Sequence, residues 1–130
     1  MNIDVRGQNL SLPDSLRIGV HDFKVVDNHP FRERSDLSGQ CDHVTREIRI
    51  RRLDSGGCVV SGTNLLVTYL HELLHAIDRV YGDGTVTDGD KGELAISCLS
   101  EGLAQVLIDN GMMVIGEQRA VVDQIEKGKA

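Results

Sequence analysis

Two rhythms of apolar residues divide the chain. Between Arg46 and Arg52, Ile48 and Ile50 point one way while Glu47, Arg49 and Arg51 point the other. A period of two with one polar side predicts a half-buried strand. Gln40 to Val44 reads as its partner. Thr45 and its neighbours make the tight connection, so the pair is expected to form a hairpin. Upstream, Val20, Phe23, Val25 and Val26 make Arg17 to Val26 one extended segment around Gly19. It follows the Leu12-Pro13-Asp14-Ser15 turn and ends at Asn28-His29-Pro30.

Past Asp54-Ser55-Gly56-Gly57 the spacing changes. Leu66, Leu70, Leu73, Leu74 and Ile77 recur at helical intervals and predict a helix from Asn64 to Tyr81 anchored to a core. Ser61-Gly62-Thr63 supplies N-cap chemistry and Gly82-Asp83-Gly84 a stop. A second helix is expected from Gly92 to Asn110, apolar at Leu94, Ile96, Leu99, Leu103, Val106 and Leu107, with Asn110-Gly111 as its C-cap. Met112 to Ala130 predicts a short third helix.

Strands followed by helices make an α+β pattern. The expected architecture is a small three-stranded sheet, antiparallel or mixed, packed on the first helix, with the second helix antiparallel to it. All 130 residues fit one domain, 1–130.

Charge and composition narrow the function classes. The formal net charge is -6, and the acidic excess falls entirely in residues 61–130. Phosphate backbones require clustered Lys and Arg, so nucleic-acid binding is disfavoured. No run approaches the roughly 18–20 apolar residues of a membrane span. The start, Met1-Asn2-Ile3-Asp4-Val5-Arg6, lacks the pattern of a secretory leader. Cys41, Cys58 and Cys98 are odd in number and lack CxxC spacing. They read as reduced, core-filling thiols, which points to the cytoplasm.

The chemistry concentrates in His71-Glu72-Leu73-Leu74-His75. Four residues apart on a helix, His71 and His75 share a face one turn apart. Two imidazoles there can hold one zinc ion, and the adjacent Glu72 can reach a water without binding the metal. A catalytic zinc takes three protein ligands and keeps one open position, whereas structural sites usually close with Cys and four ligands. His21, His29 and His43 lie upstream as sources of the third ligand. Downstream, Glu93, Ser97 and Glu101 share one face of the second helix, and spacing alone leaves Glu93 and Glu101 both open.

These residues resemble a known group. The chain looks like the small phage and prophage zinc peptidases of the gluzincin type, the minigluzincins, and like minimal HExxH domains of the ImmA/IrrE type. The resemblance runs through Leu16-Arg17-Ile18-Gly19, Phe23-Lys24-Val25-Val26, Gly39-Gln40 and Glu47-Ile48-Arg49-Ile50. It continues through Tyr69 to Ile77 and then Leu99 to Leu107 with Asp109-Asn110. It implies a third ligand early in the second helix, followed by apolar residues three and six positions on. That position is Glu93, with Ile96 and Leu99 after it; Glu101 is the lesser alternative. Larger gluzincins carry Asp four residues after the ligand, to orient an imidazole, and this chain has Ser97 there. Asp78 and Asp109 are candidates to replace it.

The expectation is a cytoplasmic zinc metalloendopeptidase, in a bacterial host if phage-encoded, acting on protein or peptide. Zn2+ is held by His71, His75 and Glu93, Glu72 is the general base, and Ser97 lies behind the ligands. Tyr69 or Tyr81 is a candidate donor to the oxyanion, and a sheet edge is the expected bed for the substrate. If that edge is the Arg46–Arg52 strand, Arg49 and Arg51 favour an acidic substrate. The alternative is a zinc-binding interaction module with little or no proteolysis.

Overall fold

In the computed structural model, residues 10–32, 34, 36–54 and 56–113 are described. Four strands precede two helices: β1 Ser15–Ile18, β2 His21–Asp27, β3 Gly39–Asp42, β4 Glu47–Ile50, α1 Gly62–Gly82 and α2 Gly89–Asp109. The α+β class is as expected. The sheet differs, having four strands in the order β1-β2-β4-β3. The extra strand arises at Gly19, whose φ of 62 places it in the left-handed region. Ile18 pairs with His21, so Gly19 and Val20 form a two-residue hairpin turn rather than the middle of one extended segment. The third helix expected over Met112–Ala130 falls outside the described residues, apart from its first two.

β1 and β2 pair antiparallel, as do β3 and β4; the two hairpins join where β2 runs parallel to β4. The β3–β4 turn is set by Asp42, whose Oδ1 accepts from the amides of Val44 and Thr45, and by Arg46 at φ 57. β4 is therefore interior and β3 is an edge. This corrects the idea of Arg49 and Arg51 on an open edge. Arg49 pairs with Asp42 and Glu47, and buried Arg51 donates to the carbonyls of Pro30 and Phe31.

One face of the sheet packs on α1. Ile48 and Ile50, both fully buried, meet Phe23, Ile18, Leu65, Leu66 and Leu70. Burying each isoleucine contributes about 1.5–3 kcal/mol. Leu66 and Leu70 anchor α1 as expected, joined by Leu65 and Ala76, while Leu73 and Leu74 are only half-buried and Ile77 is exposed. Ser61 caps α1 by accepting from the Asn64 amide.

The inner face of α2 is Gly92, Ile96, Ser100 and Ala104, a row of mostly small residues that lets it lie against α1. Ser100 satisfies its hydroxyl within the helix, donating to the Ile96 carbonyl at 2.7 Å. Leu94, Leu99, Leu103 and Val106 are on the outer face and exposed. Cys58 and Cys98 are also exposed and only Cys41 is partly buried, which corrects the expectation of three core thiols. Among the described residues, no helix is long and apolar enough to cross a membrane.

Candidate metal centre

The pairing of α1 with α2 brings Glu93 to the two histidines. Its carboxylate lies 2.7 Å from His71 Nε2 through one oxygen and 2.8 Å from His75 Nε2 through the other. The two Nε2 atoms are 3.2 Å apart. Glu93 is half exposed, while each imidazole is largely covered. Two nitrogens held at zinc's usual bond length in a tetrahedral site stand about 3.3 Å apart, close to the spacing found here. The imidazole–carboxylate separations, in contrast, are hydrogen-bond lengths, each Nε2 addressing its own carboxylate oxygen. Two imidazoles and a carboxylate are a donor set that could hold a metal ion at this place.

Glu93 is placed by the turn between the helices. α1 ends at Asp83, with φ 52, and the chain reverses through Gly84 to Gly89. Asp78 clasps this turn: its carboxylate accepts from the amides of Val86 and Thr87 and from the Thr87 hydroxyl. Burial opposes the charged form of Asp78, but those donors, with Arg79 nearby, outweigh it and hold the carboxyl below its usual range. Arg79 also pairs with Asp88, just before α2, at 3.0 Å. Gly92 then packs on the turn so closely that a Cβ would lie 2.5 Å from the Thr87 carbonyl carbon.

Glu72 faces the sheet. β3 passes over it at Gly39, where a Cβ would come within 2.6 Å of Thr68 Cγ2 and 3.1 Å of Glu72 Cγ. Two residues on, the Cys41 main-chain amide is near enough to favour the charged form of the Glu72 carboxylate. Only 8% of Glu72 is exposed. Burial, reinforced by the negative charge of Glu93, pushes its carboxyl up to about 7 against the influence of the Cys41 amide. His71, Glu72 and His75 offer ligand-type atoms all within 4.8 Å of one another.

An open cleft of about 300 Å³ lies over this group, lined by residues of β3, His43, α1 and Glu93. A smaller one, about 190 Å³, adjoins it on the other side of Gly39, between Asp36–Gly39 and Val67–Glu72. Cys41 Sγ lies 3.5 Å from His43 Nδ1. Burial, with the charges of Glu72 and Asp42, pushes the Cys41 thiol up to about 12.

The remaining expected residues fall elsewhere. Glu101 is exposed on α2 and makes no contact with either imidazole among the described residues. Ser97 is half-buried and, among the described residues, has no side-chain hydrogen bond to His71 or His75. Asp109 accepts from Gln105, and Asp78 is engaged in the turn. His29 stacks edge-on against Phe31, and neither Tyr69 nor Tyr81 lines the cleft. Spacing gave no sign of Gly39, Cys41 or Thr87. Their roles come from contacts across 33 residues or between a turn and a helix end.

Comparison with protein-family models, curated proteins and solved structures finds no match to this chain.

Proposed function

We propose that the chain is a zinc-dependent peptidase of the small gluzincin kind, acting on protein or peptide in the cytoplasm. The observation that carries this reading is the placement of Glu72. It is a buried carboxyl near neutrality, beside two imidazoles and a second carboxylate, at the floor of an open cleft. A general base works best with a pKa near the operating pH.

His71, His75 and Glu93 would hold the ion. Zinc, when bound, supplies a Lewis acid that polarises a carbonyl and lowers the pKa of a water. Glu72 takes a proton from the attacking water and returns it to the leaving amine. Gly39 lets β3 lie directly against the Glu72 side chain, which limits its movement during both transfers. β3, as an edge strand beside the cleft, offers main-chain donors and acceptors to an extended peptide.

A zinc-bearing interaction module that cleaves nothing is the second reading. The missing bond from Ser97 to either imidazole favours it, because such partners usually orient metal-bound histidines.

The test is Glu72→Gln in zinc-loaded protein, assayed on a quenched-fluorescent peptide library with metal content measured in parallel. The peptidase reading expects zinc retained and cleavage reduced at least about 100-fold. Cleavage that survives the substitution, or wild-type protein that binds zinc and cleaves nothing, overturns it.

A further inference from the structure

We propose that His43 is the cleft's hydrogen-bond donor to the substrate, presenting Nε2–H to a carbonyl oxygen of the bound peptide because Cys41 occupies its Nδ1. This rests on the peptidase reading and deepens it. With Tyr69 and Tyr81 both away from the cleft, the centre needs another donor for the oxygen that gains charge during attack.

His43 lies in the β3–β4 turn and lines the same cleft as His71, Glu72, His75 and Glu93. In this proposal its contact with Cys41 selects its tautomer. The Cys41 thiol stays protonated across the physiological range, so its hydrogen can be given to Nδ1, and a neutral imidazole accepting at Nδ1 carries its own hydrogen on Nε2. Among the described residues, Nε2 has no hydrogen-bond partner. The groups facing this ring from other elements are His75 and Arg79 of α1 and Asp88 before α2, with Asp42 beside it on the sheet. Burial, Arg79 and His75 press His43 toward the neutral form, against Asp88 and Asp42. It is therefore a neutral donor, which can bind a carbonyl oxygen without adding a second full positive charge to a site built for zinc.

Two measurements on the zinc-loaded full chain test this. Long-range 15N–1H correlation spectra should show His43 in the Nε2–H form. Cys41→Ala should move it toward the Nδ1–H form, and Cys41→Ser, which keeps a donor, should not. Binding should then be compared for two probes. Acetohydroxamate needs only the metal, whereas a phosphinic tripeptide also presents a tetrahedral oxygen to a neighbouring donor. His43→Phe should weaken the phosphinic tripeptide tenfold or more, since one such donor is worth about 100-fold or more in rate where measured. It should leave acetohydroxamate within twofold, and His43→Gln should recover part of the loss. Equal binding of the tripeptide by wild type and His43→Phe overturns this proposal and leaves the peptidase reading standing. An Nδ1–H form in the wild type also overturns it. Wild-type protein that binds neither probe overturns the peptidase reading, and this proposal with it.

Discussion

Gly39 on the edge strand passes so close to Glu72 in the middle of α1 that a Cβ there would lie 3.2 Å from the Glu72 carboxylate oxygen. The nearby Cys41 amide favours the charged form of Glu72, and burial and Glu93 outweigh it.

The imbalance has a pH signature in metal-free protein. Glu72 titrates near 4.5 when unfolded and near 7 when folded, so the folded state binds its proton more tightly. Its contribution to stability is full below pH 4.5 and is lost as pH rises through 7. Above that, the buried anion costs on the order of 3 kcal/mol. Metal-free Glu72→Gln should melt above wild type at pH 8 and with it at pH 4. A melting difference independent of pH would contradict the raised pKa.

Zinc affinity should separate the two glutamates. Glu93→Ala removes the carboxylate that faces both imidazoles and should weaken zinc binding at least about tenfold, whereas Glu101→Ala should change it less than twofold. Competition titration against a chromogenic chelator reads both. An equal loss in the two variants would break the assignment.

Gly39→Val should damage stability and the base together. The added side chain meets Thr68 and Glu72, and overpacking of this kind costs about 1–3 kcal/mol. Chemical denaturation measures the cost. Zinc affinity should hold, because no ligand sits on β3.

Gly92→Ala should act on the ligand instead. Its Cβ would press on the Val86 and Thr87 main chain, which cannot yield as a flexible side chain can. Lower zinc affinity with Glu93 still present, by titration, is the expected result. Thr87→Val, which removes one donor to Asp78, should lower it in the same direction.

The sequence pattern carried some of this structure and missed the rest for physical reasons. His71, Glu72 and His75 were legible because a helix turns a spacing of four into a shared face. Glu93 and Glu101 lay on one face as well, and only the clasp of Asp78 on Val86 and Thr87 sets which of them meets the imidazoles. That clasp depends on main-chain amides, which no side-chain pattern reports. Gly19 read as the middle of one extended segment, since its positive φ is a property of the backbone rather than of its neighbours. Leu99 and Leu103 fitted a helical core pattern, yet the small row Gly92, Ile96, Ser100 and Ala104 is the side that packs.

The sheet order also bears on how the centre assembles. His71, His75 and Glu93 come from α1 and α2, a helical hairpin whose contacts are local in sequence. Glu72 acquires its altered acidity only when β3 settles over it, and β3 reaches that position through a parallel junction between two separately formed hairpins. Local contacts form faster than such long-range pairings. During folding, the helical hairpin can therefore bring His71, His75 and Glu93 together while the carboxyl of Glu72 is still an ordinary, solvated acid, so the three side chains assemble before Glu72 acquires its altered acidity.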